Sequence, residues 1–331
     1  MRCRMLLRIL TAALLSGGLA LGQELAAGWD FIPGEKLLLY DDFTDMPKGA
    51  APPHWKVRGG TVQLRTDGKL LVSEHIKLHP NIVEWPRNFT IEQHFILDKA
   101  DTSRRLTWWF GDDDWQWMVR TECEDGEMTC EIALESSDDL GKVRTPFQYG
   151  QPNLLAIWMQ DERVRVYFNQ KRLLDVNQVK VAPWKLASLE IRPDEGAVVL
   201  SQFRIAESSP DFSKTILSSG RFVTHGIQFD VNSDRLRPES APVLKLVADA
   251  LAANASLKLR IEGHTDTSGD AARNLDLSRR RAESVKSALV TRFGIAAGRL
   301  TTEGLGQTKP LSPNDTPQGR ANNRRVEFVK L

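Results

Sequence analysis

The chain is poor in cysteine, balanced in charge and short of long apolar runs, and each shortage excludes something. Formal net charge is +1 over 331 residues, so the basic surplus of a general nucleic-acid binder is missing. No apolar stretch reaches the roughly 20 residues of a spanning helix. The apolar "ILTAALLSGGLAL" follows the basic "MRCRMLLR" and ends at Ala20-Leu21-Gly22, a small-x-small pattern. This reads as a cleavable export signal over residues 1–22, which leaves no transmembrane span in the mature chain. Cys3 would leave with it. Cys123 and Cys130 remain, and an oxidising compartment makes them a candidate disulfide. An Asp125-Gly126 turn would set Cys123 opposite Met128, whereas a Gly126-Glu127 turn would set it opposite Cys130.

What is present divides in two. Length alone favours two domains, and every tryptophan lies at or before Trp184, as two separately built cores would give. The expected layout is a β-sandwich over 28–206, a polar Ser-rich linker over 207–220 and an α/β domain over 221–331. The first half is a series of short strand-like runs at roughly ten-residue spacing, with clear alternation in Val164-Arg165-Val166-Tyr167-Phe168 and a hairpin turn in "FNQKRLL". That pattern predicts an all-β sandwich or jelly roll. Trp108, Trp109, Trp115 and Trp117 are candidates for stacking on sugar rings, but Trp115 and Trp117 share one face of an alternating run and core packing explains them more cheaply. Asp112, Asp113 and Asp114 read as a solvated loop tip rather than a calcium site. No metal or cofactor is expected.

The order "FIPGEKLLLYDDF", "DERVRVYFNQKRLLDV", "LSQFRIAE" resembles the concanavalin A-like lectin/glucanase sandwich. The resemblance implies a fold whose members often bind glycans. The Glu-x-Asp-x-Glu strand of the related glucanases is not found, and the acids of "TECEDGE" are interrupted by a turn signal. Catalysis is therefore not expected.

From Arg221 the periods lengthen. "PESAPVLKLVADALAAN" carries Val243, Leu244, Val247 and Leu251 on one stripe, and a helix from Ala271 to Phe293 presents Leu275, Ser278, Ala282, Val285 and Leu289. "SLKLRIEG" alternates Leu257, Leu259 and Ile261 inward with Lys258, Arg260 and Glu262 outward. With "LTTEG" and "RRVEFVKL" as further strands, the order is β-α-β-α-β-β, an α/β sandwich with helices on one sheet face.

"IQFDVNSDRLRPES", "IEGHTDTSG", "NLDLSRRRAESVKSAL", "GIAAGRL" and "NDTPQGRANNRRVEF" strongly resemble the OmpA-like C-terminal domain. The resemblance implies non-enzymatic binding of peptidoglycan in the periplasm or outer-membrane-associated envelope of a Gram-negative bacterium. The implied ligand is the diaminopimelate of the peptide stems, whose free end carries an ammonium and a carboxylate on one carbon. The aspartate of "GHTD" falls on Asp266 and the arginine of "LSxxRA" on Arg281, with secondary contacts at Asn232, Thr265, Ser268 and Asn274. A carboxylate takes the ammonium and an arginine forks onto the carboxylate. Open backbone amides near Thr267 to Gly269 are expected to help. Asn323, Arg324 and Arg325 read as support for the loop, and His264 as a packed residue. The competing expectation is a secreted carbohydrate-active enzyme or glycan-binding protein tethered to the wall, with the sandwich meeting a glycan or protein partner.

Overall fold

The computed structural model describes residues 28–97, 103–111, 117–124, 128–137, 139–179, 186–194, 196–208 and 212–331. The export signal, the acids Asp112 to Asp114, Trp115 and the Asp125-Gly126 tip lie outside the described residues.

The first half forms β1 (Lys36–Asp41), β2 (Trp55–Gly59), β3 (Val62–Leu64), β4 (Leu70–Val72) and β5 (Ile76–Pro80). It continues with β6 (Phe89–Leu97), β7 (Arg104–Gly111), β8 (Trp117–Glu124), β9 (Thr129–Glu135) and β10 (Asp139–Pro146). β11 (Asn153–Gln160), β12 (Arg163–Phe168), β13 (Lys171–Val176), β14 (Leu186–Arg192) and β15 (Val198–Glu207) complete it. An 8-stranded sheet runs β13-β12-β11-β6-β15-β4-β3, with β1 also on β15, and a 7-stranded sheet runs β10-β9-β8-β7-β14-β5-β2. Aromatic and branched side chains of both sheets fill the space between them, Trp108, Trp117, Phe95 and Phe203 among them. The hairpin between β12 and β13 turns on Asn169 and Gln170, both at positive φ (44° and 66°), the geometry of a tight two-residue connection. Cys123 pairs with Cys130 across β8 and β9 and the two are disulfide-bonded.

Alternation in β12 has an unusual result. Val164, Val166 and Phe168 point into the core, yet Arg165 and Tyr167 are buried as well. The outer face of the large sheet is covered here by the segment before β1. Trp29 and Phe31 pack edge-on to Tyr167, and Asp30 accepts from its hydroxyl at 3.0 Å.

The second half begins differently from expectation. Part of the stretch read as a linker is a helix, α1 (Phe212–Ser219), because Ile216 buries fully in the C-terminal core. Then come β16 (Arg221–Thr224), α2 (Ala241–Ala253), β17 (Leu259–His264), α3 (Ala271–Phe293), β18 (Leu300–Gly306), α4 (Pro317–Asn323) and β19 (Val326–Lys330). The sheet order is β16-β19-β17-β18, with β17 and β18 parallel and the other pairs antiparallel.

Helix α3 has clear stops. Asp270 caps it by accepting from Arg273 N, and Gly294 ends it in the left-handed conformation (φ 68°). Its buried face uses Asn274 where Leu275 was expected; Leu275 is 48% exposed. Glu262, expected to face solvent, is fully buried among arginines. Two glycines set how close α3 comes. Gly263 and Gly304 are paired across β17 and β18. A Cβ on Gly263 would lie 2.3 Å from Ser278 O, and one on Gly304 2.4 Å from Arg279 N. Since both obstacles are backbone, the helix itself would have to lift. We expect Gly304→Ala to destabilise the fold by about 1–3 kcal/mol, with Gly298→Ala, which has open space around its Cβ, near neutral. Urea midpoints compare them; equal midpoints would contradict this packing.

Candidate ligand-binding site

Asp266 sits just past β17, in a loop clamped from several sides. Thr265 N donates to Gly306 O at 2.9 Å, and the Thr265 hydroxyl to Asp266 O at 2.9 Å. Asn274 Nδ2 reaches Asp266 O, Ser268 O and Gln307 Oε1 at 3.2, 3.0 and 3.1 Å. Thr265 and Asn274 thus commit their donors to holding the loop. The aspartate is 7% exposed. Its Oδ1 accepts from Ser268 N at 2.8 Å and its Oδ2 from Arg324 Nη1 at 2.6 Å. Burial pushes this carboxyl up, but the Arg324 and Ser268 bonds outweigh it and hold the pKa below the ordinary aspartate value. A carboxylate offers about four acceptor sites, so roughly half of this one stays free for a further donor.

Arg281 lies on α3, one turn past the glycine contact. Its Nε donates to Ser233 O at 2.9 Å and its Nη2 to Asp230 O at 3.5 Å, while the guanidinium carbon stands 4.8 Å from the Phe229 ring centre. Those carbonyls belong to a turn closed by Ser233 N on Asp230 O, with Asn232 at φ 54°. Among the described residues no carboxylate comes within salt-bridge distance of this guanidinium. Burial accordingly lowers its pKa. A mutual Asp266–Arg281 bridge, the blander reading of the pair, is not what forms: each has other partners.

Asp266, Arg281, Asn232, Thr265, Ser268 and Asn274 all line one cavity of about 480 Å³. One expectation fails. The Thr267 and Ser268 amides are already taken, by Asn314 Oδ1 at 3.2 Å and Asp266 Oδ1, so no open nest of amides waits there. Sequence pattern makes Arg324 loop support, whereas in the structure it holds Asp266. Asn323 and Arg325 do play that supporting part, Asn323 through four bonds to the 311–314 loop.

Behind the cavity, Glu262, His264 and Glu327 bring three ligand atoms within 4.8 Å of one another. Their carboxylates are held by Arg221, by Arg260 at 2.8 Å and by Arg325 at 2.6 Å. A cation here would meet three fixed positive charges, so the donor set fits an ion network rather than a metal. With the glutamates neutralised, His264 gains nothing from them; burial and then Arg325 drive its pKa down to about 3.

The OmpA family profile matches residues 228–324, the segment that carries Asp266 and Arg281. Residues 228–324 belong to the OmpA family. Within curated relatives, the chain is 45% identical over 103 residues to outer-membrane lipoprotein YfiB of Pseudomonas aeruginosa, and 43% over 108 residues to peptidoglycan-binding protein ArfA of Mycobacterium bovis. These alignments take in 31% and 32% of this chain and span 61% and 33% of those proteins. A solved structure of SCLam, a non-specific endo-beta-1,3(4)-glucanase, aligns over 56% of this chain and 98% of its own at 11% identity and TM-score 0.43. Among the described residues no helix is long and apolar enough to cross a membrane.

The OmpA-family segment should carry a pH signature. His264 binds its proton near pH 3 when folded but near 6.5 when unfolded. As pH falls through that window the unfolded chain takes up a proton that the folded chain refuses. Stability is then lost at up to about 1.4 kcal/mol per pH unit. His264→Gln should reduce the slope of the urea midpoints between pH 6.5 and 4, with burial of His225 and His94 keeping the remainder; an unchanged slope would contradict the assignment.

Proposed function

We propose that this is a non-catalytic envelope protein that binds peptidoglycan, with Asp266 receiving the ammonium and Arg281 the carboxylate of a diaminopimelate head group. The observation that carries the reading is Arg281, a half-buried guanidinium aimed into a cavity with only neutral carbonyls as partners. An anion entering there gains a charge-assisted, two-pronged bond with little competition from water. Asp266, already ionised and with acceptor sites to spare, suits the adjoining ammonium. That similar proteins include the peptidoglycan-binding protein ArfA of Mycobacterium bovis and the outer-membrane lipoprotein YfiB of Pseudomonas aeruginosa supports this reading. An envelope location, with export through the N-terminal signal, belongs to the same proposal. So does the division into a sandwich over 28–206 and a binding domain over 221–331.

The charge pattern of the sandwich favours binding over catalysis. On the outer face of the 7-stranded sheet, Glu122 is held by Arg105 and Arg120, and Glu131 and Glu135 by Arg120. Glu190 accepts from Trp109 and Arg192 and is bonded to His75. Burial raises the Glu122 and Glu190 carboxyls, but these cationic partners more than offset it and both end below the ordinary value. A glycosidase acid needs the opposite shift.

The test is retention on purified diaminopimelate-type sacculi. Wild type should be retained, and Asp266→Ala and Arg281→Ala should each weaken binding at least about tenfold, since each strips one partner from a desolvated charge pair. Equal retention of folded variants would overturn the proposal.

A further inference from the structure

The cavity at Asp266 and Arg281 has a second wall, and it belongs to the sandwich. Strand register sets Tyr40, Arg204 and Glu92 abreast across β1, β15 and β6, with Gln202 and His94 abreast two residues along. Side chains two apart share a face, here the outer face of the 8-stranded sheet, and these five line the same cavity as Asp266 and Arg281. The two halves are tied around it. Arg324 Nη2 reaches the Tyr40 hydroxyl at 3.5 Å, Arg320 donates to Thr44 Oγ1 at 3.2 Å, and Gln170 donates to Glu239 Oε1 at 2.9 Å.

The charges on this wall are matched internally. Arg204 donates to Glu92 at 3.0 Å, and its other nitrogen to Gly34 O at 2.5 Å. Arg237, at the cavity edge, pairs with Glu239 at 3.2 Å. Burial, then Arg237, pushes His94 down to about 4, so its ring is neutral at pH 7. What remains for a ligand is uncharged: the Tyr40 hydroxyl, the Gln202 amide and the His94 imidazole. Free diaminopimelate held by one end at Asp266 and Arg281 would bring the ammonium and carboxylate of its other end to this uncharged wall, which has no spare charge to pair them. In a peptide that other end is a pair of amides instead, which need hydrogen-bond partners once withdrawn from water. A volume near 480 Å³ is in the range of sites that enclose whole small ligands.

We infer that Tyr40, His94 and Gln202 form a subsite for the amides at the peptide-linked end of the diaminopimelate, opposite its charged head group, so that the sandwich selects a peptide segment over the free amino acid. This rests on the proposed roles of Asp266 and Arg281. A bare glycan would have to satisfy the same neutral wall without a charged head for the anchors, which is why a peptide is favoured.

Calorimetric titration of the full chain with three probes decides it: free meso-diaminopimelate, a diaminopimelate-containing stem peptide without sugar, and the disaccharide without peptide. The stem peptide should bind wild type at least tenfold tighter than the free amino acid, with the disaccharide weakest. In Gln202→Ala/His94→Ala, and in Tyr40→Phe as a variant that keeps the ring, the peptide-to-amino-acid ratio should fall toward one. An unchanged ratio in folded variants, or equal affinity of wild type for both, would overturn the subsite while leaving the head-group reading intact. Tightest binding of the disaccharide would overturn it in favour of a glycan. Failure of both diaminopimelate probes to bind would overturn the head-group reading and the subsite with it.

Discussion

The close seat of helix α3 on the sheet is the constraint from which the site follows. With no Cβ at Gly263 or Gly304, the helix backbone at Ser278 and Arg279 rests directly on β17 and β18, and Ser278 Oγ accepts from Gly306 N at 2.9 Å. Arg281 comes one turn later on the same rigid rod, and Asp266 leaves the end of the strand beneath it. A helix held at ordinary packing distance would carry Arg281 out of reach of the Asp230–Ser233 carbonyls. Backbone contact thus places two charges that never touch each other.

Those charges are set up unequally. Asp266 is kept ionised by a guanidinium and an amide, so its charge is secure before any ligand arrives. Arg281 is kept in place by carbonyls and an aromatic face, so its charge has a fixed position and an incomplete partner set. A buried cation in that condition costs folding free energy, which a ligand carboxylate would return on binding. The arrangement suits a zwitterionic group, whose carboxylate would meet Arg281 while its ammonium meets the acceptor sites of Asp266 that Arg324 and Ser268 leave free.

Much of this was legible in the sequence. The Asp270 cap and the Gly294 stop bound α3 as its periodicity implies, and the resemblance to the OmpA-like domain singles out Asp266 and Arg281, which line one cavity. The failures have physical reasons. Hydrophobic patterning puts Leu275 on the buried face because it cannot register Asn274, a polar side chain buried to clamp a loop. Alternation sets Glu262 outward because it treats a charge as exposed, whereas Arg221 and Arg260 pair with this one inside the fold. The helix Phe212–Ser219 hid in a Ser-rich stretch because its stability comes from Ile216 packing in a distant core. Arg324 could be seen as a base, but not which way it turned.

The sandwich contributes more than a separate module would. Its outer sheet face is sealed partly by the Trp29–Phe31 segment and partly by the OmpA-family domain, which is why Glu92 and Arg204 are buried on a face that ordinarily meets water. The most direct measurement of the central claim is a crystal structure of the full chain with a diaminopimelate-containing stem peptide bound. The account predicts the head-group carboxylate on the Arg281 guanidinium and its ammonium on the free acceptor sites of Asp266. A peptide lying outside the cavity, or one whose carboxylate sits on Arg324 while Arg281 keeps only its carbonyls, would contradict it.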